Sequence, residues 1–102
     1  MARLIAIYRR PKDPAAFDAY YFGTHVPLAK TVPGLLRYEV NEGAAAAPMT
    51  PGGVHLVAIL HFASKADLDK ALASPEGKAT ARDLSNFADG GVELLMMDVK
   101  TI

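Results

Sequence analysis

The segment "VHLVAILHF" (Val54–Phe62) constrains the fold more than any other part of the chain, because it is apolar at nearly every position. A strand that is apolar at both parities is typically buried on both faces of its sheet. The strands predicted at Arg3–Arg10 and Val92–Ile102 show the same two-sided pattern. Whichever face of the sheet its helices cover, the opposite face keeps a contiguous apolar patch.

Helix and strand signals follow one another in the order β-α-β-β-α-β. The first helix is predicted to begin at Pro14 after an N-cap at Asp13. The second is opened by the capping pair Ser64 and Asp67, and it restarts after a cap at Ser74. This order predicts a single domain, residues 1–102, with the ferredoxin-like α+β sandwich: a four-stranded antiparallel sheet with helices on one face.

The segment "LRYEVNE" alternates between apolar and polar residues, as a half-exposed strand does. Leu36, Tyr38 and Val40 share one side of it. The charged residues on the other side discourage further pairing, so we expect an edge strand.

The first helix carries a stripe at spacings of three and four residues. Its members are Phe17, Tyr21, His25 and Leu28. Pro27 follows within the same segment, and a residue that precedes proline is biased away from helical geometry. We therefore expect Val26 to leave the helix, with a kink or break near residues 23–26.

The two-sided sheet predicts association, because two helices cover only one of its faces. Large apolar patches are uncommon on soluble monomers and usually mark an interface. The simplest partner is a second copy, packed sheet against sheet about a two-fold axis. The sequence therefore predicts a homodimer.

Composition excludes several classes of function. Eleven basic and eleven acidic residues give a net charge of zero, and no basic stripe is present, so we expect no nucleic-acid partner. The chain has no cysteine, which excludes disulfides and thiolate chemistry. The apolar run near the N-terminus is too short for a signal peptide or a membrane span. We expect a cytoplasmic protein without a membrane partner.

Two stretches carry a family resemblance. "IYRRPKDPAAFDAYYFGTHVPLAKTVPGLLRYEV" (residues 7–40) resembles the EthD family of the dimeric α+β barrel superfamily, and "SPEGKA" followed by "DLSNFAD" does so later in the chain. The resemblance implies a homodimer whose sheets close into a barrel, with a ligand pocket between the sheet and the helices of each subunit. Relatives of this fold include cyclases, isomerases, cofactor-independent monooxygenases and haem-degrading enzymes, so the resemblance implies small-molecule chemistry without choosing a reaction.

His25 is the candidate catalytic residue, because its stripe points it toward the sheet and an imidazole exchanges protons near neutral pH. It also matches the family's histidine. The alternative is a structural histidine, bonded to carbonyl groups that Pro27 frees. Tyr21, one turn away, would either orient His25 or contact a ligand, whereas Tyr20 is expected to lie flat on the surface. The alternative for both is a core or interface aromatic residue without a role in a site.

Further residues are candidates for the lining of a substrate pocket. They are Tyr8, Tyr21, His61, Phe62 and Met97. His55 and His61 are predicted on one strand face, about 20 Å apart, which is too far to share a metal ion. We expect no metal site and no cofactor.

The sequence thus predicts a homodimer with an apolar pocket for a small organic molecule, aromatic ones included. An enzyme of this kind would carry out cofactor-independent proton transfer, cyclisation or oxygenation. The alternative is a non-enzymatic binding or accessory subunit of a catabolic pathway.

Overall fold

The structure is a computed structural model that describes all 102 residues. Its four strands are β1 (Ala2–Arg9), β2 (Arg37–Val40), β3 (Val54–Phe62) and β4 (Val92–Asp98). Its α-helices are α1 (Pro14–Tyr20), α2 (Val26–Ala29), α3 (Lys65–Ala73) and α4 (Pro75–Asp83). A π-helical segment (Tyr21–His25) joins α1 to α2, and a 3-10 turn (Leu84–Asn86) follows α4. None of these helices has the length and the apolar character that a membrane-spanning helix requires.

The strands form one antiparallel sheet in the order β2-β3-β1-β4. This is the predicted ferredoxin-like topology, and β2 lies at an edge as expected. The final strand is shorter than predicted and ends at Asp98 rather than Ile102. Asp98 pairs with Ala2, the first residue of β1, and beyond that pair one further backbone bond forms, from the Val99 amide to the Met1 carbonyl at 2.9 Å.

The helices pack on one face of the sheet, where the alternate residues of β1 and β3 are buried. The aromatic part of this core is contributed by Tyr8, Phe17, Tyr21, Phe62 and Phe87. The predicted caps are confirmed: Asp13 accepts a hydrogen bond from the amide of Ala16 at 3.1 Å, and Ser64 accepts one from Asp67 at 3.1 Å. Ser74 accepts from Gly77 at 3.0 Å and separates α3 from α4.

The irregularity predicted near residues 23–26 is a π-helical segment, Tyr21–His25, and the chain does not break before Pro27. Val26 keeps helical dihedral angles, φ −60° and ψ −49°, and its amide donates to the carbonyl of Tyr21, five residues back. The wider π turn gives the proline ring room beside the preceding turn, so the chain stays helical through it. The wide turn also shifts the buried stripe: its last member is Ala29, and Leu28 is half-exposed.

The opposite face of the sheet carries no helix and is apolar at its centre, as predicted. One row across it consists of Glu39, Ile59, Ile5 and Leu95. We call this surface the helix-free face. On β4 both faces are exposed, because Leu94 on the helix side is 41% exposed and Leu95 on the other is 42% exposed.

His55 does not share a face with His61, contrary to prediction. The pairing of β1 with β3 shifts at Tyr8 and Arg9, where β3 holds one more residue than β1. This irregularity turns His55 toward α1, where its Nε2 lies 2.8 Å from a carboxylate oxygen of Asp18. His61 stays on the helix-free face, 2.5 Å from Glu39.

Candidate active site

A cavity of about 70 Å³ lies between the sheet and the helices. Its floor is formed partly by Ala6 and Ala58, which face each other across β1 and β3 and leave space because their side chains are small. The cavity is partly open, and its exposed lining residues Ala81 and Leu94 place the mouth between α4 and β4. The lining is mostly apolar and contains no Lys, Arg, Asp or Glu.

His25 is the most polar residue of the lining, and it is buried with 4% exposure. Its Nδ1 lies 2.8 Å from Oδ2 of Asp83, a residue 58 positions away at the end of α4. Because a carboxylate accepts, Nδ1 carries the donated hydrogen and Nε2 of the neutral ring is an acceptor. Nε2 has no hydrogen-bond partner within the chain. Every side-chain nitrogen or oxygen that is fully buried does have a partner, so Nε2 is not fully buried and adjoins accessible space.

Asp83 is held by two further donors. The Tyr20 hydroxyl donates to Oδ1 at 2.6 Å, and the Asn86 amide donates to the same oxygen at 3.0 Å. Burial alone would raise the pKa of Asp83, but the hydrogen bonds from Tyr20, Asn86 and His25 outweigh it and hold the pKa below its usual 3.8. Asp83 is therefore a fixed anion beside the imidazole.

Burial lowers the pKa of His25 below its usual 6.5, and the hydrogen bond and charge of Asp83 oppose that shift only in part. At neutral pH the ring is uncharged and able to accept a proton. Once protonated, it would be stabilised by the adjacent carboxylate.

Three tyrosines, Tyr8, Tyr21 and Tyr38, line the same cavity as His25. Tyr21 and Tyr38 hydroxyl oxygens are 2.5 Å apart, while the Tyr8 hydroxyl has no partner within the chain. Burial raises the pKa of Tyr21, with the neighbouring Tyr38 and Tyr8 adding to the shift. Burial also raises the pKa of Tyr8 and Tyr38. All three phenols therefore keep their hydrogens at neutral pH.

The predicted site residues divide between the two faces of the sheet. Tyr8, Tyr21, His25 and Phe62 line the cavity. His61 and Met97 do not: both lie on the helix-free face, where Arg3 stands between them in register. Side chains alternate between the two faces along β3 and β4. The neighbouring residues Phe62 and Met96 therefore face the helices, and His61 and Met97 do not.

Sequence reasoning missed Asp83, Tyr38 and Asn86, and it assigned Tyr20 to the surface. Tyr20 is half-buried, stacks on Phe87 and bonds Asp83. Asp83 stands four residues before the buried Phe87, so its carboxylate falls on an apolar helical stripe. An acidic residue at such a position was the sequence signal that could have identified Asp83 as a site residue. The carbonyl partners expected for a structural His25 are absent, and its hydrogen-bond partner is Asp83.

Similarity to known proteins extends over the whole chain. An uncharacterised 11.0 kDa protein of the thcB-thcC intergenic region of Rhodococcus erythropolis is 40% identical over 102 residues, which are 100% of this chain and 98% of the relative. An ethyl tert-butyl ether degradation (EthD) family protein of Bacillus halodurans superposes with a TM-score of 0.87 at 33% identity, covering 98% of this chain and 99% of the other.

A more distant solved structure shares the fold. SnoaB, a cofactor-independent oxygenase from Streptomyces nogalater, superposes with a TM-score of 0.69 at 17% identity, covering 99% of this chain and 94% of the other. The chain thus has the α+β fold of the dimeric α+β barrel proteins. The model of the EthD domain matches residues 9–91. Together with the identity to the Rhodococcus protein, this match shows that the chain belongs to the EthD family.

Proposed function

We propose that this EthD protein is an enzyme that moves protons on a small organic substrate without a cofactor, with His25 as the base. The observation that carries the proposal is the buried pair of His25 Nδ1 and Asp83 Oδ2 at 2.8 Å, which leaves Nε2 without a partner. A histidine oriented by a carboxylate has its tautomer fixed and its imidazolium form stabilised.

The step is a simple proton transfer. Nε2 of His25 takes a proton from a C–H or O–H bond of the substrate, and the electron pair of that bond moves onto the substrate, where an adjacent electronegative atom holds the charge. Asp83 stabilises the imidazolium that forms. Return of the proton to another atom of the substrate restores neutral His25 and yields an isomer, so protons and charge balance. A general base placed in this way typically contributes about 10²–10⁴ in rate.

Two features support a catalytic role over simple binding. A binding pocket alone would need no ionised carboxylate behind its histidine, because burying an ion is costly unless its charge is used. SnoaB, which has the same fold, is a cofactor-independent oxygenase, so a protein of this fold can act without a cofactor. The alternative is a non-enzymatic binding subunit, and a negative result in the experiment below would support it.

The experiment uses 5-nitrobenzisoxazole, a compact uncharged probe whose ring opens to a coloured phenolate when a base removes its C–H proton. We expect the protein to accelerate ring opening above the buffer rate, with a rate that falls as the pH drops below the pKa of His25. His25→Gln should abolish the acceleration while the thermal midpoint stays near that of the wild type.

His55→Gln and His61→Gln are the matched controls, because both histidines lie outside the cavity and hydrogen-bond to exposed carboxylates. Neither should change the rate. Ring opening at the buffer rate, or equal loss in all three variants, would contradict a catalytic base at His25.

We also propose that the protein is a homodimer joined through the helix-free face. The support is the apolar row formed by Ile59, Ile5 and Leu95, together with charges of both signs at the rim. Arg3 and Arg37 stand at one end near Glu39, and Arg9 lies 3.9 Å from Glu93 at the other. Such a face is self-complementary about a two-fold axis.

A further inference from the structure

The polar atoms of the cavity define what kind of ligand it accepts. The lining has no cationic side chain, so nothing in it neutralises a carboxylate or a phosphate. Transfer of an unpaired charge into an apolar site is unfavourable by several kcal/mol. An uncharged ligand is therefore favoured.

Some polar atoms of the cavity lining have no hydrogen-bond partner within the chain, and each of them can be identified as a donor or an acceptor. The Tyr8 hydroxyl has no partner although the residue is only 2% exposed, and it lines the cavity. Of the Tyr21 and Tyr38 hydroxyls, one donates to the other, so the hydrogen of the acceptor has no acceptor within the chain. His25 Nε2 is the acceptor left open.

The phenols come from separate elements yet converge. Tyr8 is on β1, Tyr21 on the π-helical segment and Tyr38 on β2, and the Tyr8 and Tyr21 ring centroids are 5.6 Å apart. Tyr21 lies in turn 5.3 Å from the His25 ring, centroid to centroid. The open donors and the open acceptor thus border one small space.

Resting on the proposed function, we propose that the substrate is an uncharged molecule with a hydroxyl or enol oxygen, which gives its proton to His25 while accepting hydrogen bonds from Tyr8 and the Tyr21–Tyr38 pair. Such an oxygen carries both an acceptor for the open hydroxyl donors and a hydrogen for the open acceptor Nε2. When the proton moves to Nε2, the electron pair of the O–H bond stays on the oxygen, and the same tyrosines hold the resulting anion. Their O–H groups act as an oxyanion site.

Binding of three probes by titration calorimetry tests the proposal: phenol, toluene and benzoate. They share one ring and differ only in the group offered to the polar atoms. The ring extends toward the mouth between α4 and β4, where Leu94 is exposed. We expect phenol to bind about five- to tenfold more tightly than toluene, the gain of a net hydrogen bond in a buried site, and benzoate to bind most weakly.

Tyr8→Phe removes one hydroxyl and keeps the ring in the core. It should reduce the affinity for phenol toward that for toluene and leave toluene unchanged. Thr31→Val is the matched control, because it also removes one hydroxyl, and Thr31 is exposed, bonds the carbonyl of Leu28 and does not line the cavity. Its affinity for phenol should match that of the wild type.

Equal affinity for phenol and toluene, tighter binding of benzoate, or no effect of Tyr8→Phe would overturn the assignment of the substrate class. These outcomes are separate from the ring-opening assay. If that assay shows a base at His25 while phenol binds no better than toluene, the proposed function stands and only the substrate class falls.

Discussion

Ala6 and Ala58 are cross-strand partners at the centre of the sheet, and both are buried beneath the cavity. Their small side chains leave room above the sheet for the space that His25 and the tyrosines line. A larger side chain at either position is therefore the simplest way to fill the cavity.

Ala58→Leu should abolish binding of phenol, because the added side chain enters the cavity. The free energy of unfolding should fall by less than the ~1–3 kcal/mol typical of an overpacked core, since space is available. Calorimetric titration and urea unfolding measure the two effects. Unchanged phenol binding would show that the ligand lies elsewhere.

The titration of His25 should occur below pH 6.5, because burial disfavours the imidazolium and the charge of Asp83 compensates only in part. Asp83→Asn removes that charge, so the pKa of His25 should fall further. Imidazole ¹⁵N shifts follow the titration directly, and in the wild type they should show hydrogen on Nδ1. Asp18→Asn, which alters the partner of His55, is the control and should leave His25 unchanged. A pKa at or above 6.5 in Asp83→Asn would contradict this account.

Stability should decrease as the pH falls. His25 has a lower pKa in the folded protein than in the unfolded chain. Below pH 6.5 the histidine is therefore protonated more readily in the unfolded chain, and this protonation stabilises the unfolded state relative to the folded one. The folded pKa of Asp83 is also lowered, so its contribution is complete above pH 3.8 and disappears as the pH falls through the folded value. Both groups act in the same direction.

Urea midpoints compared at about pH 7.5 and about pH 5 isolate the histidine, because Asp83 stays ionised over that range. The decrease should be smaller in His25→Gln, in which the buried titrating ring is gone. An equal decrease in the variant and the wild type would assign the effect to other groups.

Gly77 and Gly23 should respond in opposite ways to replacement by alanine. A Cβ on Gly77 would meet the carbonyl oxygen of Ala71 at 2.0 Å, so Gly77→Ala must separate α3 from α4. We expect a loss of ~1–3 kcal/mol, as for other overpacked sites. A Cβ on Gly23 meets nothing within 4 Å, so Gly23→Ala should stabilise the helix by ~0.5–1 kcal/mol. Urea unfolding compares the two, and a tolerated Gly77→Ala would contradict the close approach.

Ile5→Lys should convert the proposed dimer to a monomer, because it places a charge at the centre of the apolar row of the helix-free face. Sedimentation equilibrium should give twice 10.9 kDa for the wild type and 10.9 kDa for the variant. Ala66→Lys adds the same charge to an exposed position on α3 and should stay dimeric. A monomeric wild type would refute the dimer.

The sequence predicted those parts of the fold that depend on local chemistry. Asp13, Ser64 and Ser74 cap the helices as expected, since a cap is formed by residues three positions apart. The two-sided strand Val54–Phe62 has the predicted bounds. The family resemblance rested on residues spread along the chain and is confirmed.

The site depended on contacts that no local pattern contains. Asp83 and His25 are 58 positions apart in the sequence. Their contact depends on the packing of α4 against the helical segment that contains the π turn and α2. The π turn and the irregularity at His55 each shift a face by one residue, which moves a side chain from one environment to another. The parity of His61 and Met97 was not recognised from sequence for a different reason: β3 and β4 are apolar at both parities, so the pattern does not say which face the helices cover.

The π-helical segment also sets a length requirement on the chain. Phe17, Tyr21, His25 and Ala29 recur every four residues, and the wide turn lets them line up without the drift of an ordinary α-helix. Loss of one residue between Tyr21 and His25 would restore regular helical winding at little local cost, but it would swing the imidazole away from Asp83. A relative with that deletion would keep its shape and lose the contact between His25 and Asp83, so under the proposed function the spacing of Tyr21 and His25 would distinguish an active homologue from a merely similar one.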